Sequence, residues 1–121
     1  MEAEDLEALH LICFEIIGYV GAAKSSYVSS IAKAKEGDFE GAESLIREGD
    51  SNYNKGHTVH MKLLQADAAG ERNPVAPLIL LHAEDQMASA ETVKLLATNL
   101  ISVYQELQKC TLQNTTAPTS E

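Results

Sequence analysis

The first third of the chain carries a helical pattern without a breaker. No proline occurs from Ala3 to Glu36, and apolar residues recur there at steps of three and four. The stretch predicts one long amphipathic helix over about residues 3–36, which commits the chain to packing helix against helix. Gly18 and Gly21 lie inside the pattern, and we expect them to allow another helix to approach closely. The apolar positions are Leu6, Leu9, Cys13, Ile16, Ile17, Val20, Ala23 and Tyr27.

A turn and a second helix follow. The sequence "KEGDF", residues 35–39, offers Gly37 for the left-handed position after a helix and Asp38 as the N-cap of the next one. The second helix is expected over about residues 39–69. The polar stretch at 47–56 is compatible with two shorter helices, but the apolar positions stay in phase across it and favour one.

The third helix is expected over about residues 77–110, with Pro77 near its start. The polar, aperiodic residues 111–121 predict a disordered tail, so residues 1–110 form a single helical domain. The helix carries a main apolar stripe and a neighbouring stripe that is half polar, which implies one packing partner inside the chain and another outside it. The main stripe is Ile79, Ala83, Ala90, Val93, Ala97, Leu100, Tyr104 and Leu107, and the half-polar stripe is Leu78, His82, Asp85, Ser89, Thr92, Leu96, Asn99 and Val103.

Charge and composition exclude several classes of function. The net charge of -9 over 121 residues, with no basic cluster, argues against nucleic acid as a partner. The acidic N-terminus lacks the features of a secretion signal, and no uncharged run has the length of a membrane span, which predicts a cytoplasmic protein without membrane insertion. Cys13 and Cys110 both lie in apolar periodic segments, where we expect buried thiols.

The stretch "LILLHAEDQ", residues 78–86, places a histidine after an apolar run and an aspartate three positions later. His82 and Asp85 therefore share one helical face. A carboxylate beside an imidazole serves general acid/base catalysis, or nucleophilic attack by the ring on a phosphoryl group, or a hydrogen-bonded polar contact without catalysis. Spacing alone does not choose among the three. Phosphate-cradling glycine motifs are absent from the sequence, so ATP is not the expected phosphodonor.

Three segments together resemble a known family. "FEIIGYVGAAKS" (14–25), "AKEGDFEGAESLI" (34–46) and "LILLHAEDQM" (78–87) are similar, in this order and spacing, to the lactose/cellobiose-type enzyme IIA components of the bacterial sugar phosphotransferase system (PTS). The resemblance covers about residues 6–109. It implies an all-α, antiparallel three-helix bundle that assembles as a homotrimer with a helical core.

The resemblance also assigns roles. It implies that His82 accepts a phosphoryl group from the phosphocarrier protein HPr, as a tele-phosphohistidine, and passes it to a cysteine of the cognate enzyme IIB for uptake of lactose, cellobiose or a related β-glycoside. Asp85 is expected near the threefold axis, where three copies can bind a divalent cation, most readily Mg²⁺. No cofactor is required for transfer. His57 matches a histidine common in the family and is a second candidate for the phosphoryl pocket.

Two neighbours of His82 depart from the family pattern H-A-Q-D-H. Glu84 replaces the glutamine and Gln86 replaces the second histidine. Glu84 adds negative charge near a future phosphoryl group, which either destabilises the phosphohistidine or attracts a basic partner. The alternative hypotheses are a structural helical protein without phosphotransfer, and a metal-binding bundle. The residues of that metal site would be His57, His60, His82, Glu84 and Asp85.

Overall fold

The structure is a computed structural model, which describes residues 3–71 and 75–116. The described residues form three α-helices, α1 at Ala3–Lys35, α2 at Phe39–Ala68 and α3 at Leu78–Thr116. No strand occurs in the two described ranges, so the expected all-α fold is confirmed there. The second helix is continuous through the polar stretch at 47–56, as its apolar phase predicted.

The end of α3 corrects one expectation. Residues 111–116, predicted to begin a disordered tail, continue α3 to Thr116, because a polar sequence does not stop a helix when neither proline nor glycine interrupts it. The rest of that predicted tail, residues 117–121, lies outside the described residues.

Glycines end both of the first two helices. Gly37 has a φ of 86°, and the amide of Asp38 donates to the carbonyl of Lys33 at 2.9 Å, which closes the end of α1. The Asp38 side chain then accepts from the amide of Gly41 at 2.9 Å, as expected of an N-cap. Gly70, with a φ of 72°, follows the end of α2 in the same left-handed conformation.

α1 is the helix on which the other two pack. Gly49 on α2 lies against Tyr27, and Gly56 lies against Val20, so α1 and α2 run antiparallel. α3 runs parallel to α1, since the core clusters pair the early part of α1 with the early part of α3 and the late part with the late part. The buried apolar residues are Leu9, Cys13, Ile16, Val20, Ala23, Tyr27, Ala34, Ala42, Leu80, Ala83, Met87, Ala90, Ala97 and Ile101.

The glycines that permit close helix approach are not the expected ones. A Cβ on Gly18 or Gly21 would meet nothing within 4 Å, because both face outward from α1. The close approaches occur instead at Gly49, where a Cβ would lie 2.5 Å from the Tyr27 ring, and at Gly56, where it would lie 3.1 Å from Val20. Periodicity located helix 1 correctly, but it could not show which face meets α2.

A second face of α3 stays uncovered. The half-polar stripe predicted from the sequence is largely exposed: 81% of the surface of Leu78 and 56% of that of Leu96 are accessible to solvent. Cys110 is also exposed, which makes its predicted burial wrong, whereas Cys13 is buried as expected. Residues 106–114 of α3 are all exposed, so the last turns of this helix are not covered by α1 or α2. The other exposed large apolar residues of α3 are Leu81, Leu95, Leu100, Val103, Leu107 and Leu112.

Candidate functional site

His82 lies in the second turn of α3 and points away from the core. The helix begins at Leu78, where the carbonyl of Pro77 accepts from the amide of Leu80 at 3.0 Å. Leu80 and Ala83 are buried against α1, and the helical period therefore turns His82 outward. Its side chain is exposed, and no hydrogen bond or ion pair joins it to another residue in ranges 3–71 and 75–116. The ring is available to a reaction partner.

Asp85 follows His82 on the same exposed face of α3. The structure shows no hydrogen bond between the two side chains within one chain, as far as the described residues go. Asp85 therefore does not fix the tautomer of His82 in the isolated chain. Its carboxylate lies on the face of α3 that also carries exposed apolar residues.

The Glu84 side chain points towards α2, unlike the side chains of His82 and Asp85. Its Oε1 lies 2.6 Å from Nε2 of His60 on α2, and the two groups form an interhelical pair. The sequence provided no such partner for either residue, since it shows neither the direction of Glu84 nor the register of α2 against α3. The charge that distinguishes this chain from the family pattern is thus directed towards α2, not towards the ring of His82.

The remaining predicted site residues lie apart from His82. Gln86 is partly buried at the edge of α3. His57 is exposed on α2, and its ring stacks on Tyr53 with the ring centroids 6.0 Å apart. Within the described part of the chain, no hydrogen bond, ion pair or ring contact joins His57 or Gln86 to His82, so their supporting roles stay predictions.

α2 and α3 meet through polar contacts, a surface we call the polar seam. It comprises His60–Glu84, the Tyr53 hydroxyl donating to Glu91, and Lys94 Nζ–Asp50 Oδ1 at 2.8 Å. His60 and Tyr53 are seven residues apart, as are Glu84 and Glu91, so the first two contacts repeat after two helical turns in antiparallel register.

Tyr27 of α1 also contacts the polar seam, through its hydroxyl group. Its hydroxyl donates to Asp50 Oδ1 at 2.7 Å, so that Asp50 receives both Tyr27 and Lys94. Burial, followed by the hydrogen bond to Asp50, raises the pKa of Tyr27 above its ordinary value. Burial and the bond to Glu91 raise the pKa of Tyr53 in the same way.

A cleft of about 330 Å³ opens along the polar seam. It lies on the side of α3 that faces α2, whereas His82 lies on the side that faces away. Lys94 pairs with Asp50, and Glu91 accepts from the Tyr53 hydroxyl, so each charged group of the cleft already has a partner in the polar seam. The lining residues are Tyr27, Asp50, Tyr53, Asn54, Ala90, Glu91 and Lys94.

A metal site within one chain finds no support in the described ranges. No group of three or more His, Cys, Asp or Glu side chains converges there in a way that could hold an ion. The five residues of the metal-binding alternative are separated by the helix faces on which they lie, since Glu84 and His60 meet each other and His82 and Asp85 face outward. Asp85 contributes one exposed carboxylate per chain.

Comparison with known proteins identifies the family. The family described as "PTS system, Lactose/Cellobiose specific IIA subunit" matches residues 11–105. The lichenan-specific phosphotransferase enzyme IIA component of Bacillus subtilis is 34% identical over 101 residues, which span 84% of this chain and 91% of that protein. The chain belongs to the lactose/cellobiose-specific PTS IIA family. It is therefore a component of a bacterial sugar phosphotransferase system, with the role of a phosphocarrier that works with HPr and an enzyme IIB.

Further relatives agree with this assignment. The N,N'-diacetylchitobiose-specific EIIA component of Escherichia coli K12 is 32% identical over 107 residues, covering 88% of this chain and 89% of that protein. The crystal structure of the PTS cellobiose-specific enzyme IIA from Bacillus anthracis aligns with a TM-score of 0.79 at 28% identity, over 90% of this chain and 95% of that one. The three-helix architecture of this IIA protein is thus shared with a solved relative.

α1 is the one described helix with the length and apolar composition of a membrane span. Core helices of soluble proteins meet the same criteria, and α1 packs against both other helices. The family consists of soluble cytoplasmic components, which agrees with the location expected from the sequence.

Proposed function

We propose that His82 is the phosphoryl acceptor of this IIA protein. The observation that carries the proposal is the exposed imidazole, without a partner in the described part of the chain, in the segment of α3 that resembles the family's histidine site. Both histidines of α2 have a defined neighbour, since His57 stacks on Tyr53 and His60 pairs with Glu84. A nucleophile that receives a group from one protein and gives it to another must be reachable by both.

The reaction is two successive displacements at phosphorus. The lone pair on Nε2 of neutral His82 attacks the phosphoryl group of phosphorylated HPr, forming a phosphorus–nitrogen bond as the bond to HPr breaks. The thiolate of a cysteine on enzyme IIB then attacks the same phosphorus, and His82 leaves with its electron pair. The imidazole is regenerated, so the protein carries the group without consuming another reactant.

Assembly as a homotrimer through α3 is part of the proposal. The exposed stripe of α3 contains leucine and valine at helical spacing, and a soluble chain normally covers so many apolar side chains. Three copies packed about this stripe would bring three Asp85 carboxylates together, while His82, about 60° away around the helix, would lie at the rim of the contact and stay reachable. Three carboxylates so close together repel one another unless a cation or protons neutralise them. Because Mg²⁺ prefers oxygen ligands, we propose that the three Asp85 side chains hold one Mg²⁺ ion.

The transported sugar is proposed at the level of its class. The relatives are named for lichenan, N,N'-diacetylchitobiose and cellobiose, which indicates an oligosaccharide. We propose lactose, cellobiose or a related β-glycoside. Growth of a deletion strain on each of these sugars as sole carbon source would identify it, and growth unchanged on all of them would contradict the assignment.

Phosphoryl labelling tests the acceptor. The full chain is incubated with enzyme I, HPr and radiolabelled phosphoenolpyruvate, and we expect the label on wild type and on His10→Ala but not on His82→Ala. The bond should be acid-labile and alkali-stable, as in a phosphoramidate, and ³¹P NMR should place it on Nε2. Equal labelling of wild type and His82→Ala would overturn the proposal.

Oxidative cross-linking tests the assembly. Cys110 lies seven and fourteen residues after Val103 and Leu96, so in a parallel trimer about this stripe three Cys110 thiols approach one another. A mild oxidant should yield a disulfide-linked dimer that Cys110→Ser abolishes, because Cys13 is buried. Sedimentation should give a trimer, and Asp85→Leu should stay trimeric without bound metal. A monomer at micromolar concentration would refute this assembly.

A further inference from the structure

One polar contact, between His60 and Glu84, joins the first turns of α3 to α2. Glu84 follows His82 by two residues, so the two side chains leave the helix about 200° apart. Glu84 is thereby directed to His60, with Oε1 and Nε2 2.6 Å apart, while His82 faces outward. Any rotation of α3 that moves Glu84 moves His82 by the same angle.

The His60–Glu84 contact is the end of the polar seam nearest to His82. The next contact, Tyr53–Glu91, lies two turns further along α3, and Lys94–Asp50 lies beyond it. Leu80 and Ala83 hold the start of α3 against α1, but apolar contacts are not directional and leave the rotation of a helix about its axis less restricted than its position.

The environment of the pair suits a positioning contact. The His60 side chain is only 12% exposed, so its ring is held by its surroundings, whereas Glu84 is 45% exposed and can lose the contact by rotating into solvent. A hydrogen bond of 2.6 Å with one charged partner is among the stronger and more directional contacts between side chains. The pair therefore restrains the rotation of α3 relative to α2.

We propose that His60 and Glu84 are positioning residues that set the direction of the His82 ring for phosphoryl transfer. The inference rests on the proposed role of His82. It also explains the departure of this chain from the family pattern, because the glutamate at 84 gains a partner on α2 and does not place its charge beside the phosphoryl group.

Rapid-quench measurement of transfer from phosphorylated HPr tests the pair. We expect His60→Ala and Glu84→Ala each to lower the maximal transfer rate about tenfold, with the KM for phosphorylated HPr changed less than about twofold, because misorientation affects the reactive complex more than docking. The double variant should be no slower than either single variant, since both remove one contact.

The controls separate positioning from stability. Glu84→Gln, which retains an acceptor oxygen for the ring N–H, and the exchanged pair His60→Glu with Glu84→His should each recover most of the rate. Lys94→Met removes a contact of the same kind at the far end of the polar seam and should transfer at the wild-type rate. In ¹H–¹³C spectra, the His82 ring signals should shift in His60→Ala and stay unchanged in Lys94→Met.

The outcomes are distinguishable from failure of the proposed function. If wild type takes no label, or if His82→Ala takes as much label as wild type, His82 is not the acceptor and both proposals fall. If wild type is labelled and His60→Ala and Glu84→Ala transfer at its rate, the positioning role alone is overturned. The same holds if Lys94→Met is slowed as much as they are, since the loss would then reflect general loosening of the bundle.

Discussion

The two surfaces of α2 are built from different interactions. Towards α1 it presents Ala42, Gly49 and Gly56, all buried, and the close approach at these small residues brings apolar side chains into contact. Towards α3 its contacts are mostly those of the polar seam, and Ile46 adds an apolar contact at the cluster that contains Ile101. Apolar burial scales with area and has no preferred direction, whereas a hydrogen bond has a narrow range of distance and angle. The first surface should therefore carry most of the stability of the bundle, and the second should fix how α3 is oriented.

The largest expected effect is on the apolar surface. In Gly49→Ala the new Cβ would lie 2.5 Å from Cε1 of Tyr27, so the buried tyrosine, whose hydroxyl is bonded to Asp50, would have to shift. We expect the free energy of unfolding to fall by about 2 kcal/mol, as for an overpacked core. Urea unfolding at fixed protomer concentration measures it.

Gly18→Ala is the matched control for that substitution. Its Cβ would meet nothing within 4 Å inside the chain, so the substitution should stabilise the helix by up to about 1 kcal/mol. If the two variants changed stability equally, the contact between Gly49 and Tyr27 would not be the limiting one.

The second prediction concerns the contact that links the two surfaces. Tyr27→Phe keeps the buried ring but removes the hydroxyl that donates to Asp50 at 2.7 Å. The unfolding free energy should fall by about 1 kcal/mol, the typical value of one hydrogen bond. Tyr19→Phe, whose hydroxyl has no hydrogen bond in the described part of the chain, should be nearly neutral; an equal loss in both would contradict the role of the Tyr27–Asp50 bond.

The difference between the two surfaces also explains what the sequence could predict. The helical period, Gly37 and Asp38 are local features, and they located the three helices and the turn between the first two. The half-polar stripe of α3 was correctly expected to lack a partner inside the chain. These inferences need only the spacing of residue types within one segment.

The polar seam could not be predicted in that way. His60 and Glu84 are 24 residues apart, and their contact depends on the register of two helices and on a rotation that no spacing rule fixes. Gly49 and Gly56 were missed for the same reason, since close approach is a property of two helices. Within the site, the exposure of His82 followed from the pattern, but the direction of Glu84 did not.

The third prediction uses pH. The pKa values of Tyr27 and Tyr53 are raised by burial and by their carboxylate partners, so the folded state holds these protons more tightly than the unfolded state. Their contribution to stability is complete below the unfolded pKa of about 10 and is lost as the pH rises towards the folded values. Urea midpoints should fall above about pH 10, less steeply in Tyr27→Phe. A pH-independent midpoint from 9 to 11 in wild type would be incompatible with this.

The smallest expected effect is at the exposed end of the polar seam. The Lys94 and Asp50 side chains, 2.8 Å apart, are 44% and 36% exposed, so Lys94→Met should cost no more than about 0.5 kcal/mol. Asp50 also keeps its bond to Tyr27. Because salt screens exposed pairs, the difference between wild type and variant should vanish in 1 M salt, roughly where the Debye length falls to 3 Å. A loss above about 1.5 kcal/mol that persists in salt would mean that the seam carries stability as well as orientation, and the contrast between the two surfaces of α2 would then not hold.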